Sequence, residues 1–235
     1  MKYLYIIPAR GGSKSIPHKN IKILGGKPLI KYSIDIARKL TKDENICVTT
    51  DDDEIIKVVE SFGLSVPFKR PDYLATDTST SYDVILHSVK YFKDTLNRTF
   101  DAVVLLQPTS PFRKISDVKR ALKLYEDSIN VEMVIGAKES ESNPYYDCFE
   151  LDKNNFLVPS KGDGKITRRQ DAPKVWEYTG SVYVIKVNSL LVKPMNKFER
   201  IKKVEIDPYN AIDLDTILDW KMAELMLKEK LVKFH

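Results

Sequence analysis

Cysteine is scarce in this sequence, and long apolar runs are missing. Only Cys47 and Cys148 occur among 235 residues, and they do not form a CxxC pair. Two isolated cysteines provide neither a disulfide framework nor a zinc site, so we expect both to be small, buried hydrophobic side chains. No stretch reaches the ~18 apolar residues that a membrane-spanning helix needs. The N-terminus is not a secretory signal either, and we expect a cytoplasmic protein without a membrane partner.

The charge is modest and mixed. The net charge is +5, with 30% charged and 43% hydrophobic residues, which is typical of a globular protein. No long block of lysine and arginine occurs, so the composition argues against nucleic-acid binding. A small positive excess is compatible with an anionic small substrate.

Apolar segments with strand and helix periodicity alternate along the chain. Runs such as VVLL (103–106) are apolar at every position, which fits strands that are covered on both faces. The sequence therefore predicts an α/β fold with a mostly parallel sheet between helices. Residues 139–178 are more polar, with β-prone patches, and we interpret them as a small β-rich insertion in an α/β domain of residues 1–138 and 179–235. The predicted strands are 2–7, 45–50, 101–106, 131–136 and 180–187, and the predicted helices are 28–40, 55–63, 81–94, 116–127 and 214–231.

The loop after the first predicted strand, PARGGSKSIPHKN, carries several cations. Ligands of such sheets bind beyond the carboxyl ends of the strands, which makes this loop a candidate site. It matches neither the dinucleotide fingerprint nor the Walker A spacing, and Pro17 interrupts any helix. Gly11 and Gly12 would let backbone N–H groups approach a ligand. Arg10 offers a planar fork for phosphate, and Lys14 and Lys19 offer mobile charges.

A pair of carboxylates lies near the other end of the chain, in Ile212-Asp213-Leu214-Asp215. In an extended segment, residues at i and i+2 point the same way. Mg²⁺ is commonly held by one or two carboxylates together with substrate phosphates. The alternative is that an aspartate caps the helix that follows.

Three further polar stretches have both a structural and a binding interpretation. Gln107, at a predicted strand tip before Pro-Thr-Ser-Pro, could contact a sugar or a base, or belong to a plain turn. Arg168 and Arg169 could hold a carboxylate bidentately, or lie on a solvated strand edge. Arg70 and the polar run 76–81 could contact a nucleotide, cap a helix, or do both.

Five stretches in this order resemble the acylneuraminate cytidylyltransferase family, the CMP-sialic acid synthetases and their relatives. They are IIPARGGSK…KN, KRPDYLATDTSTS, LLQPTSPFR, RRQDAPKVWEYTGSVY and IDLD, and they extend over nearly the whole chain. The resemblance implies a Rossmann-like three-layer sandwich of the nucleotide-diphospho-sugar transferase type. It also implies a homodimer, in which the insertion at 139–178 completes the sugar site of the neighbouring subunit.

The same resemblance implies an enzyme that joins CTP to a 2-keto sugar acid, such as sialic or legionaminic acid, with release of pyrophosphate and Mg²⁺ as cofactor. The implied catalytic residues are Arg10, Lys14, Lys19, Asp213 and Asp215, and the two aspartates would hold the metal. The implied nucleotide-binding residues are Arg10, Gly11, Gly12, Ser13, Lys14, Lys19, Asn20, Arg70 and Ser79. The implied sugar-binding residues are Ser81, Gln107, Arg169 and Tyr183.

The chain departs from the family pattern at three places. Ser15 stands where the family often has glycine, and Thr179-Gly180 stands where it often has Asn-Gly. A lysine that often contacts the sugar is absent from NPYYD (143–147), which favours a nonulosonic acid other than N-acetylneuraminate. The alternative function is a nucleotidyltransferase of the same fold that acts on 3-deoxy-manno-octulosonate or on a sugar phosphate. The sequence does not identify the general base: His18 is the only histidine in the relevant loops, and a carboxylate or a metal-bound hydroxide is an equal alternative.

Overall fold

A computed structural model describes residues 1–76 and 78–232; Asp77 of the polar run, and residues 233–235 at the end of the predicted α/β domain, lie outside the described residues. Within that part of the chain, no helix has the length and apolarity to cross a bilayer. The strands are β1 Tyr3–Pro8, β2 Ile23–Leu24, β3 Lys27–Pro28, β4 Ile46–Thr49, β5 Ala102–Leu105, β6 Met133–Glu139, β7 Phe149–Leu151, β8 Leu157–Pro159, β9 Trp176–Lys186 and β10 Ile201–Glu205. The helices are α1 Leu29–Arg38, α2 Asp53–Ser61, α3 Ser81–Asp94, α4 Ile115–Glu126, α5 Val187–Leu190 and α6 Ile217–Lys228.

Six strands form the central sheet in the order β10-β6-β9-β5-β1-β4. β9 runs antiparallel to both β5 and β6, and the other neighbours are parallel. β1 shows how the sheet separates two cores, because Leu4 and Ile6 face one apolar cluster while Tyr5 and Ile7 face the other. The predicted three-layer α/β architecture with a mostly parallel sheet is confirmed.

The ends of the helices that border the candidate site are fixed by local side chains. Thr80 and Asp83 form a capping box at the start of α3, and Thr216 and Asp219 form another at the start of α6. The last helix therefore begins at Ile217, although the sequence predicted a start near 214. This difference leaves Asp213, Leu214 and Asp215 in an irregular segment in front of the helix.

The segment predicted as an insertion contains a separate two-stranded sheet, β7–β8. The main sheet continues into its borders, because β6 reaches Glu139 and β9 begins at Trp176. Cys148 lies in this segment and is partly exposed, whereas Cys47 is buried in β4. The expectation of a buried residue was therefore wrong for Cys148, since it lies next to a hairpin whose apolar side chains are exposed.

Candidate active site

The candidate site lies at the carboxyl ends of β1, β4 and β5. The loop after β1 is held there by backbone contacts to the next strand. The Ala9 N–H donates to the Thr49 carbonyl at 3.0 Å, and the Gly11 N–H donates to Asp51 Oδ1 at 3.2 Å. The buried Asn20 side chain donates to the Arg10 carbonyl at 2.9 Å. The cation-bearing loop is thus tied down at both of its ends.

The same loop has an apolar anchor. The Ile16 side chain is buried in a third hydrophobic cluster, together with Leu214 and Trp220. Burying an isoleucine side chain is worth about 1.5–3 kcal/mol. This packing holds the loop after β1 against the segment in front of α6, about 200 residues later in the sequence.

Ser15, where the family often has glycine, does not have a positive φ in this loop. The left-handed residue is His18, with φ 50°. Its side chain is exposed, and His18 Nδ1 lies 3.4 Å from Glu54 Oε2. The departure at Ser15 therefore imposes no backbone strain at that position.

Lys19 joins the two ends of the chain. Its Nζ donates to the Leu214 carbonyl at 2.7 Å and to Asp215 Oδ1 at 3.1 Å. The Lys19 side chain is only 12% exposed, whereas that of Asp215 is 70% exposed. A shielded ammonium group beside an accessible carboxylate provides charges of both signs at one point of the site.

Neither aspartate of the acidic pair caps α6, because the N-cap residue is Thr216, whose side chain accepts from the Asp219 N–H in a capping box. The capping alternative is therefore excluded. Asp213 accepts a hydrogen bond from the Thr109 side chain, and its Oδ1 is buried without a hydrogen-bond partner among the described residues. Burial raises the pKa of the Asp213 carboxyl above its ordinary value, and the nearby charge of Asp215 adds to the shift.

The acidic pair is a suitable donor set for a hard cation. It offers carboxylate oxygens, one of which is buried and has no hydrogen-bond partner in the part of the chain that the structure describes. Among the described residues, no group of three or more histidine, cysteine, aspartate or glutamate side chains is arranged to hold a metal ion. Two carboxylates that leave room for substrate oxygens match the preference of Mg²⁺ rather than that of a closed protein cage.

Two cavities of about 340 and 200 Å³ meet at this edge and share Pro8 and Arg10. Arg70 lines the larger one; it is almost fully buried, and its Nη2 donates to the Thr49 carbonyl at 2.5 Å. Other residues of the larger cavity are Leu74, Thr76, Ser79, Thr80, Ser81, Val84, Ile85 and Leu105. Other residues of the smaller cavity are Ser13, Lys19, Asn20, Gln107, Pro108, Thr109 and Asp215.

The structure does not bring all the predicted site residues into one cavity. Ser81, predicted to bind the sugar, lies in the larger cavity with Arg70 and Ser79, whereas Gln107 lies in the smaller one. Gly11, Gly12 and Lys14 belong to the cationic loop but lie outside both linings. Tyr183, on β9, lies near the acidic pair: burial raises the pKa of its phenol to about 12, with a further contribution from the charge of Asp213.

Arg169 does not line the cavity that contains Gln107. It is exposed, and its Nη2 lies 3.5 Å from the Ser140 carbonyl within the segment 139–178. Its neighbour Arg168 is engaged by Asp171 through both oxygens of that carboxylate, at 2.7 and 3.2 Å. A role for Arg169 at the sugar site of its own subunit has no support in these contacts.

The sequence interpretation missed two residues. Asp51 accepts a hydrogen bond from the Gly11 N–H, and its position just after β4 is the signal that identifies it in the sequence. Arg113 is 1% exposed and bonds to the loop of Gln107. No local pattern separates a buried arginine from a surface arginine, so only the structure could find it.

The chain is similar to known proteins over nearly its whole length. A family model described as cytidylyltransferase matches residues 4–230. The chain belongs to the cytidylyltransferase family. A CMP-N,N′-diacetyllegionaminic acid synthase of Legionella pneumophila is 31% identical over 229 residues, which is 97% of each chain. An N-acylneuraminate cytidylyltransferase of Streptococcus agalactiae is 33% identical over 218 residues, which is 92% of this chain and 51% of the relative.

The fold of this family member is also seen in solved structures. A CMP:2-keto-3-deoxy-manno-octonic acid synthetase, in complex with CTP, superposes with a TM-score of 0.70 at 18% identity, covering 98% of this chain and 100% of the other. At that identity the similarity concerns the fold. The predicted family, the fold type and the class of enzyme, a nucleotidyltransferase, are confirmed.

Gly11 of this cytidylyltransferase has no room for a side chain. A Cβ atom would lie 2.7 Å from the Cβ of Asp52, whose carboxylate caps α2 through the N–H groups of Glu54 and Ile55. We expect Gly11→Ala to destabilise the protein by about 1–3 kcal/mol and to weaken CTP binding, since loop and cap must shift. Chemical denaturation and calorimetric titration with CTP would measure both effects.

The adjacent glycine is the control for this substitution. A Cβ at Gly12 would have no heavy atom within 4 Å. Gly12→Ala should therefore change the free energy of unfolding by less than about 0.5 kcal/mol. Equal effects of the two alanines would contradict the explanation by steric contact with Asp52.

Proposed function

We propose that this enzyme transfers the cytidylyl group of CTP to the anomeric hydroxyl of a nine-carbon 2-keto sugar acid, with release of pyrophosphate. The observation that carries the proposal is the wall that the two cavities share at Arg10, beside the ion pair of Lys19 and Asp215. The larger cavity can take a nucleoside and the smaller one the reacting groups, with the Arg10 guanidinium between them. The full-length similarity to a legionaminate synthase supports this class of acceptor.

In this reaction, the anomeric oxygen forms a bond to the α-phosphorus while the bond from that phosphorus to the bridging oxygen breaks. Pyrophosphate leaves with the electron pair, and the hydroxyl proton is lost. Such a transfer needs positioning and charge neutralisation more than covalent chemistry by the protein. Arg10, Ser13 and Lys14 would hold the phosphates, and Lys19 would neutralise charge that develops near Asp215. Gly11, Gly12, Asn20, Arg70 and Ser79 would complete the nucleotide site.

Asp213 and Asp215 would hold Mg²⁺. When bound, this ion neutralises phosphate charge and lowers the pKa of a hydroxyl group close to it. The hydrogen bond from the Thr109 side chain fixes the direction of the Asp213 carboxylate. We do not assign the proton transfer to His18, because its imidazole faces Glu54 and lies outside the lining of both cavities.

The acceptor site would be completed by a second copy of the chain. One face of the β7–β8 hairpin presents Phe149, Leu151 and Leu157, which are 51%, 63% and 69% exposed. A two-stranded hairpin is marginal in water unless its apolar face is covered. A homodimer that covers this face would also carry Arg169 away from its own subunit, to the sugar site of the partner.

The hairpin provides a direct prediction about assembly. We expect Leu151→Glu with Leu157→Glu to give monomers and to reduce turnover, because two carboxylates would enter the apolar contact. Analytical ultracentrifugation would measure the mass in solution. Ile129→Glu is the control, since Ile129 is 89% exposed and lies outside the hairpin. A dimer that persists in the double variant would contradict this interface.

The reaction itself is tested with a panel of acids and nucleotides. The chain would be incubated with Mg²⁺ and each nucleoside triphosphate, together with sialic, legionaminic or 3-deoxy-manno-octulosonic acid or a sugar phosphate, and products would be identified by mass. A CMP-linked nine-carbon acid is the expected product. Turnover of the octulosonate or the sugar phosphate alone, or with a triphosphate other than CTP, would reject the proposal. We place the reaction in the cytoplasm, where CTP is available.

A further inference from the structure

Arg113 is a buried cation with an unusual set of partners. Its guanidinium lies between the end of β5 and the middle of β9, and the residue is 1% exposed. Nε donates to the Ser181 carbonyl at 2.5 Å, and Nη1 donates to Ser33 Oγ at 2.7 Å. Nη2 donates to the carbonyls of Gln107, at 2.5 Å, and Gly180, at 3.3 Å. Four donor hydrogens thus hold three separate segments of the chain together.

All of these partners, within the described residues, are uncharged oxygens. Taking an arginine out of water without a carboxylate partner is costly, and a structure retains it only where its hydrogen bonds are satisfied. Burial lowers the pKa of Arg113 to about 9, and the charge of Asp213 opposes the shift. The side chain is therefore still cationic at neutral pH.

One of the segments that Arg113 joins, the Gln107 loop, lines the smaller cavity, and Arg113 ties this loop to β9. β9 is irregular here, since residues 179–182 stand opposite Gly136 between the paired positions. The Gln107 amide packs on the irregular stretch, and a Cβ at Gly180 would meet both Gln107 Oε1 and Ser110 Oγ. Bulged backbone has few ladder hydrogen bonds of its own, so its position depends on other contacts.

We propose that Arg113 is a positioning residue for the acceptor, which acts by fixing the Gln107 loop against the bulge of β9. Arg113 does not line either cavity, so its effect passes through the carbonyls that it holds. The inference rests on the proposed function for its kinetic readout, but the contact network can be measured without any substrate. A displacement of about 1 Å at a positioning group can cost about 10²-fold in rate.

The test compares Arg113→Lys with the native protein. Lysine keeps the charge but cannot bond to three segments at once. We expect KM for the acceptor to rise at least tenfold and kcat to fall about tenfold, while Kd for CTP stays within threefold, because the nucleotide cavity around Arg70 has no contact with the guanidinium. Hydrogen exchange should accelerate in segments 107–110 and 179–182. In Arg113→Ala, added guanidinium ion should restore part of the turnover.

Arg98→Lys is the matched control. Like Arg113, Arg98 donates to a backbone carbonyl, in this case that of Glu44, at the opposite end of the sheet. Its guanidinium stacks on the rings of Phe92 and Phe100. The Arg98→Lys substitution should lower the free energy of unfolding without changing the KM for the acceptor. If Arg113→Lys does not fold, Ser33→Ala removes one of the four contacts and should give a smaller shift in the same direction.

The outcomes are distinct. An unchanged KM for the acceptor in a folded Arg113→Lys variant, or a parallel loss of CTP and acceptor binding, would overturn the role of Arg113. Unchanged hydrogen exchange in both segments would do the same without any substrate. If the native chain turned over none of the acids, the proposed function would fail. Accelerated hydrogen exchange in Arg113→Lys would still show that Arg113 fixes the Gln107 loop against β9.

Discussion

Asp213→Asn is expected to reduce turnover by about 10³-fold and to raise the unfolding temperature of the ligand-free protein. The amide keeps the shape of the side chain and can still accept from Thr109. It removes a charge that burial disfavours, as the raised pKa of Asp213 indicates. For a chain of this length, each kcal/mol of relief raises the unfolding temperature by about 2–4 °C.

The rise in unfolding temperature that we expect for Asp213→Asn depends on pH in a definite direction. The folded-state pKa of Asp213 lies above the ordinary value of 3.8, so the native protein carries the full penalty of the charge above the raised pKa. As the pH falls through that pKa towards 3.8, the carboxyl takes up its proton and the penalty disappears. The advantage of Asn over Asp should therefore be largest at neutral pH and shrink in acid.

Calorimetry across this pH range, with a parallel CTP turnover assay, would measure both effects. Asp215→Asn is the control, because Asp215 is exposed and should lose activity without gaining stability. An Asp213→Asn protein that unfolds at a lower temperature than the native one would show that the charge stabilises the fold. Unchanged Mg²⁺-dependent turnover would remove Asp213 from the metal site.

Lys19→Met should cause the second large effect, a fall of about 10²–10³-fold in kcat/KM, since it removes a preorganised cation from a shielded position. Methionine fills a similar volume, so the loop should remain packed. The Leu214 carbonyl loses its donor, and we expect about 1–3 kcal/mol of lost stability if it stays unsatisfied. Steady-state kinetics with varied CTP and urea denaturation would measure the two losses.

Lys22→Met provides the comparison. Lys22 lies in the same segment, and its ammonium group stacks over the Trp220 ring at 4.6 Å, away from the cavity residues. It should leave kcat/KM within about threefold of the native value. Comparable losses in the two variants would mean that Lys19 acts through the packing of the segment rather than through its charge.

The order of strands and helices was largely predictable because local and long-range signals agree. In α3, the helical periodicity and the capping residues Thr80 and Asp83 point to the same boundaries, and the predicted range 81–94 is the observed one. The segment around β5 is apolar at every position from 103 to 106, which predicts a strand that is buried on both faces. The cationic loop and the acidic pair were found from residue type and from their position after strands.

Other features depend on contacts that a linear pattern does not contain. The antiparallel direction of β9 depends on the path by which residues 139–176 return to the sheet. The sequence could not predict it, because parallel and antiparallel strands have the same periodicity. At Asp213, metal binding and helix capping predict the same residue type, and only the observed capping box separates them. Ser81 was assigned to the sugar, yet it lines the larger cavity with Arg70, because α3 turns its first residue toward that side.

The wall that the two cavities share at Arg10 has a consequence for inhibition. Two weak ligands that occupy neighbouring cavities on opposite sides of one side chain can be joined by a very short tether. A tether that matches the span gives the second half a high effective concentration, so the joined compound can bind far more tightly than either fragment. A cytidine linked through a stable phosphonate to an acidic sugar mimic is thus a rational lead compound, and Arg10 marks the place for the linkage.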